Sequence, residues 1–303
     1  MKSTKAFFIA IGIVLIAATF LTAQDVEEII SDIGTINWSD QIIRAKGKAF
    51  PDTSHGLSVR RAQTIEKAKK DAYQNLLRII RVVRIHGELK ASDLLAESDK
   101  LKKRLELIVR HYTVEDIQSL ETGEIEVSIR FPMYGALSDL LLVNKSEKGE
   151  IIVPDKPLCP VCGQYWPEGK PVPDGIQLIA PWSGLENNER YSYTGLIIDV
   201  RGYGFNPALA PRIFNQAGQE IYNIGFANRR YAVEIGLVGY TLNESDLKED
   251  NRVKDNPLFV TATGVEGNYG SDIILSNEDA RIIHGSALNK NFFERCRVLL
   301  LID

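Results

Sequence analysis

The sequence predicts an α+β protein: two small mixed α/β-sheet domains that follow a cleaved signal peptide. Three observations carry this. Residues 59–79 place apolar side chains at helical three- and four-residue steps, whereas residues 125–131 alternate strictly between apolar and polar, so helix and half-buried strand share one segment of chain. A stretch dense in proline and glycine then separates two foldable halves. The chain also opens with the basic, apolar and small-residue regions of an export signal in the expected order.

That opening consists of Lys2 and Lys5, an apolar run from Ala6 to Phe20, and Leu21-Thr22-Ala23, after which Asp25, Glu27 and Glu28 turn the chain acidic. Residues 1–23 are therefore expected to be the signal peptide, cleaved after Ala23. A retained anchor is the alternative, because the apolar run lies at the lower edge of what spans a bilayer. No cysteine stands near the exit to accept a lipid. The expected location is outside the cytoplasm, in the periplasm or at the outer-membrane periphery.

The first domain is expected over residues 34–143. Thr35 to Trp38 and Ile42 to Phe50 read as strand, ended by Pro51. A long helix follows, with Ser58 as candidate N-cap and Val59, Ala62, Ile65, Ala68, Ala72, Leu76 and Ile79 on its inner face. Val82 to Ile85 is β-branched and reads as strand, and Leu101, Leu105, Ile108 and Val109 mark a shorter helix. Glu121-Thr122-Gly123 is the turn of a hairpin whose second strand runs from Ile125 to Phe131. Residues 144–174 read as a linker carrying Pro154, Pro157, Pro160, Pro167, Pro171 and Pro173. The second domain is expected over 175–303. Its strands are Thr194–Val200, a short hairpin through Ile213 and Ile221, Leu258–Thr263, Asp272–Leu275 and a closing apolar run at Val298–Ile302. Ser276 and Asp279 are placed to open a helix between the last two strands.

At 303 residues and 33.9 kDa the chain exceeds the usual size of a single core. Its net charge of −4 argues against nucleic acid as a principal partner. The four histidines show no ligand spacing. Among the three cysteines, Cys159-Pro160-Val161-Cys162-Gly163 is the sharpest local motif. Two sulfurs at that spacing form half of a zinc site, a local disulfide in an oxidising compartment, or a thiol redox pair, and all three readings stand. Zinc is thus the one cofactor the sequence raises, with Cys159 and Cys162 as its ligands and the remaining ligands unsupplied. Cys296 is expected to be a buried apolar residue.

Charge gathers on the long helix. Arg60, Arg61, Lys67, Lys69 and Lys70 form a candidate face for an anionic ligand, and the plain alternative is a solvated helix surface. Asp199, Arg201 and the flexible Gly202 and Gly204 make a candidate polar site at a strand end, with Asp272, Glu278, Asp279 and His284 available to complete it. The plain alternative there is that Asp199 closes a turn onto backbone amides. No phosphate loop, nucleophile elbow or paired-histidine motif accompanies these residues.

Ile43-Arg44-Ala45-Lys46-Gly47-Lys48-Ala49, followed by Arg61-Ala62, Ala68, Asp71-Ala72-Tyr73 and Leu76-Leu77, resembles the envelope family of lipoprotein 20 and the N-terminal domain of flagellar assembly protein T. There a strand of the form A-x-G-x-A precedes an alanine-rich helix, and the similarity covers residues 34–143. The lipidated cysteine of the lipoprotein members is missing. The C-terminal segment, through Thr194–Asp199 and Ser276–Ala280, looks like a module found beside such domains. The resemblance implies a non-enzymatic exported envelope protein with a structural or assembly role, including a flagellar one. The partners it implies are other envelope or flagellar basal-body proteins or further copies of the chain, with at most peripheral membrane contact. It supplies no catalytic residue.

Overall fold

The computed structural model describes residues 25–51, 57–142, 159, 166–176, 178, 193–248, 250–290 and 292–303. The expected signal peptide and most of the expected linker lie outside the described residues. The described chain is α+β.

The N-terminal half, residues 25–142, is built on a five-stranded antiparallel sheet. Its strands are β1 (Glu27–Ile30), β2 (Gly34–Asn37), β3 (Ile42–Ala49), β6 (Thr113–Ser119) and β7 (Ile125–Pro132), in the order β1-β2-β3-β7-β6. Between β3 and β6 the chain makes α1 (Leu57–Val82), a small ribbon of β4 (Arg84–His86) and β5 (Leu89–Lys90), then α2 (Ala91–Glu97) and α3 (Asp99–Val109). After β7 comes α4 (Ala136–Leu141). Ser58 falls inside α1 rather than capping it. The β-branched run at 82–85 is shared between the end of α1 and the start of β4, because Val82 continues the helix while Val83 and Ile85 are buried.

The A-x-G-x-A strand and the alanine stripe have one cause. Helix α1 lies directly across β3, and a Cβ on Gly47 would sit 2.0 Å from the Ala72 nitrogen and 2.3 Å from the Ala68 carbonyl oxygen. Ala45, Ala68 and Ala72 are fully buried at this crossing. Only small residues let a helix backbone approach a sheet so closely. Asn75 donates to the Lys46 carbonyl at 2.7 Å and holds the helix in register on the strand. On the polar side of β7, Glu126 is buried beneath Lys46 and Lys48, which lie 3.5 and 3.4 Å from its oxygens.

The C-terminal half contains two four-stranded sheets. Its elements are β8 (Leu196–Asp199), β9 (Ile213–Asn215), β10 (Glu220–Tyr222), α5 (Arg229–Ile235), β11 (Gly239–Thr241), β12 (Leu258–Thr261), β13 (Gly264–Glu266), β14 (Asp272–Leu275), α6 (Asn277–Lys290) and β15 (Val298–Leu301). One sheet, β11-β15-β8-β12, is parallel throughout. A parallel strand covered on both faces needs no alternation, which explains the uninterrupted Leu196-Ile197-Ile198 and Val298–Leu301. The other sheet, β10-β9-β14-β13, is mixed.

The buried apolar cluster runs without a break from one half into the other. Leu209 and Ala210 donate to the Arg84 and Ile85 carbonyls at 2.8 Å, so the C-terminal chain pairs alongside β4. Trp38 meets Tyr240 edge-on, with ring centres 6.1 Å apart. Gln41 donates to the Ile235 carbonyl at 2.8 Å. Arg229, at the start of α5, donates to the Leu142 and Asp139 carbonyls at 2.6 and 2.8 Å and to the Asp139 carboxylate at 2.9 Å. It thereby satisfies the open carbonyls at the end of α4.

The bond from Arg229 holds the Asp139 carboxyl below its usual value, against an opposing desolvation, with Arg104 assisting. A carboxyl more acidic folded than unfolded contributes stability above its unfolded value, and that contribution disappears as pH falls through the lower folded value. Asp139→Asn is therefore expected to lower the urea midpoint at neutral pH. The gap from the parent protein should narrow as the pH falls below the ordinary carboxylate value and vanish only once it has passed the lower folded value. Parallel urea titrations across that range check it.

Candidate functional site

In open parallel sheets ligands gather outside the carboxyl ends of the strands. In this sheet that edge carries Asp199, Arg201 and Glu244, which bind one another, and Asp303, which takes a backbone amide. Asp199 accepts from the Arg201 amide at 3.1 Å and from its guanidinium at 2.9 and 2.6 Å. The same guanidinium reaches Glu244 at 2.6 Å, and the Gly202 amide donates to Asp303 at 2.8 Å. The Arg201 hydrogen bond keeps the Asp199 carboxyl below its usual value. Asp199 thus closes its turn onto Arg201, which is the plainer of the two sequence readings.

The residues that sequence offered as its companions are dispersed. Asp279 is hydrogen-bonded to Ser276 at the start of α6, with the Asp279 amide 3.0 Å from the Ser276 hydroxyl. Glu278 is exposed in the same turn. His284 is buried, its Nε2 2.9 Å from the Ile221 carbonyl oxygen and its ring against Phe226 and Phe293. Asp272 belongs to the other sheet.

Asp272 sits at the seam between the halves. Its side chain is wholly buried and ion-paired with Arg212. It accepts from the Arg212 Nε and amide at 2.9 and 3.0 Å and from the Gly87 amide, across the seam, at 2.9 Å. The chain can reach it only because residue 87 is glycine: a Cβ there would lie 2.4 Å from the carboxylate. Gly267 touches the same Gly87 backbone, with φ +88°.

Beside this pair opens a cleft of about 220 Å³, lined by Ile85, His86, Leu94 and Leu142 from the first half and Arg212 and Glu220 from the second. Burial, reinforced by the nearby Arg212 charge, pushes His86 below its ordinary value, so it is neutral at pH 7. Apolar walls with a few converging polar groups are the usual make-up of a small-molecule site. Sequence reasoning missed this cleft because its wall comes from segments far apart in the chain, none of which forms a motif.

The basic residues of α1 divide. Arg61, Lys67 and Lys70 are exposed, while Arg60 and Lys69 are half-buried. Lys69 is bonded to Glu66 at 2.8 Å, which raises its proton affinity, and Arg61 reaches the Ser119 hydroxyl at 3.2 Å. Lys67 and Lys70 point away from the buried Ala68, Ala72 and Leu76 face, whereas Arg61, seven residues before Ala68, shares its side of the helix and Lys69 flanks it, so the five do not form one face. Cys159 is half-buried, and Cys162 lies outside the described residues. Among the described residues no cluster of three or more potential metal ligands occurs. Cys296 is buried, and desolvation pushes its thiol up to about 11, as befits an inert apolar neighbour of Tyr222.

The C-terminal half, a parallel sheet backed by a mixed one, is the part of the chain that comparison reaches. Residues 195–303 match the family model described as Treponema pallidum Tp0624, second domain. The match starts one residue before β8 and takes in both four-stranded sheets. No curated protein matches the chain.

Proposed function

We propose that the protein is a non-enzymatic, exported component of the cell envelope, with a structural or assembly role in the periplasm or at the outer membrane, flagellar basal-body structure being the leading setting. The observation that supports this reading most is the state of the parallel sheet's carboxyl edge. Its charged groups are engaged within the chain, Asp199 and Glu244 by Arg201 and Asp303 by the Gly202 amide. The seam adds support. Hydrogen bonds, the Arg229–Asp139 ion pair and a continuous core fix the two halves together, which suits a part that offers surfaces rather than one that opens and closes on substrate. The similarity to the second domain of another protein also fits a module used in combination. Partners on this reading are other envelope or basal-body proteins or further copies of the chain, with no nucleic acid and at most peripheral membrane contact. The alternatives are a module for an anionic envelope ligand on the Arg60, Arg61, Lys67, Lys69 and Lys70 face, and a zinc- or thiol-dependent role through Cys159 and Cys162.

Fractionation of native cells, followed by cross-linking in intact envelopes, tests the proposal. The expected result is recovery in the envelope fraction without the first 23 residues, cross-linked to a second envelope protein or to itself. Recovery from the cytosol with Met1 intact would reject it. Metal analysis of the same material decides the zinc alternative.

A further inference from the structure

We infer that the outer face of α3, with the groove beside it, is a docking surface for an anionic phospholipid surface; this rests on the envelope location proposed above but uses a different site from the α1 face. The groove, of about 310 Å³, lies between α3 and the turn from β7 into α4, and is lined by Leu107, Ile108, His111, Phe131, Tyr134 and Leu137. Two of these project: Leu107 is 59% exposed and Tyr134 46%. A leucine and a tyrosine left in water side by side need a reason, since scattered single apolar residues are ordinary but a paired apolar rim on a groove is not.

The charges around them supply the reason. Lys103, Leu107 and Arg110 follow one another at four- and three-residue steps, so they share one face of the helix. Lys100 continues that face by one further step. Among the described residues Lys100, Lys103 and Arg110 have no ion-pair partner, while their neighbours Lys102 and Arg104 are occupied by Asp99 and Asp139, both at 2.9 Å. Unpaired cations flanking a protruding leucine, with a tyrosine at the rim, is the arrangement that seats at a headgroup boundary. There the apolar groups enter the acyl edge, the tyrosine hydroxyl stays among headgroups, and the cations meet lipid phosphates. The complementarity is local: the chain carries a net charge of −4, so the protein as a whole is repelled by an anionic bilayer while this face attracts it. No helix among the described residues is long and apolar enough to cross a membrane, and the contact proposed is peripheral.

The test is co-sedimentation of the purified full chain with vesicles of phosphatidylglycerol and phosphatidylcholine in equal parts, and with phosphatidylcholine alone. Every variant carries the same N-terminal apolar run, so differences among variants report the docking face. The parent should bind the mixed vesicles at least about tenfold more tightly than the neutral ones, and Lys103→Glu/Arg110→Glu should abolish that preference. Leu107→Ser, which leaves the charge unchanged, should weaken binding to the mixed vesicles by about tenfold, which a purely electrostatic contact would not require. All three substituted positions are exposed, and unchanged melting temperatures would show that the variants fold. The inference is overturned if the parent binds both vesicles equally, or if the α3 variants bind like the parent while Lys67→Glu/Lys70→Glu does not. It is equally overturned if soluble poly-glutamate, at matched charge, is bound and the vesicles are not, since the occupant is then an acidic polypeptide. A failure here, with the protein still found in the envelope, leaves the assembly role untouched.

Discussion

Gly47→Ala should cost about 3 kcal/mol or more, at the upper end of what overpacking a core produces. The added methyl meets backbone, not a side chain that can swing aside: it would lie 2.0 Å from the Ala72 nitrogen and 2.6 Å from its Cα. Relief requires α1 to lift off β3, and α1 carries Leu76, Ile79 and Ile80, all fully buried, into the core of the N-terminal half. Urea denaturation followed by circular dichroism reads the effect directly. Gly123→Ala is the control. Gly123 has φ +87° but nothing within 4 Å of a Cβ, so only conformational strain of about 1 kcal/mol applies there. Equal costs at the two positions would show that the close helix–strand contact is not what residue 47 serves.

Asp272→Ala should be at least as damaging, at about 3–5 kcal/mol, because it leaves the Arg212 guanidinium without its counter-charge and strands the Gly87 and Arg212 amides. The bonds tie β14 of one half to the β4–β5 turn of the other, so the loss should loosen the seam. Amide exchange at Gly87 and Tyr269, whose amide donates to the Gly87 carbonyl at 2.9 Å, should rise before exchange in the sheet of the N-terminal half. The double variant Asp272→Ala/Arg212→Met should recover a good part of the loss, since an apolar pair carries no uncompensated charge. If the double variant is no better than Asp272→Ala alone, the seam depends on the carboxylate's bonds to backbone rather than on the ion pair.

The elements that could be read from sequence are those with a local period or a local turn. The helical step of Ala68, Ala72 and Leu76 marked α1, Glu121-Thr122-Gly123 marked the β6–β7 turn, and Ser276 with Asp279 marked the start of α6. Two short helices escaped. Helix α2 has seven residues and α4 six, too few turns for a period to emerge, and both are held by packing against α1, α3 and α5. The parallel pairing of β15 with β8 and β11 was hidden for another reason: an apolar run says that a strand is buried, not which strands flank it. The cleft at His86 and Arg212 and the buried role of Asp272 are products of the seam, and no property of residues 86, 212 or 272 in isolation announces them.

The position of β15 has a bearing on how the molecule is made. Residues 298–301 insert between β8 and β11, so the parallel sheet has a gap down its middle until that segment is in place. Leu196 pairs with Val298, a contact between residues far apart in sequence, so closure of this sheet belongs among the slow, late events of folding.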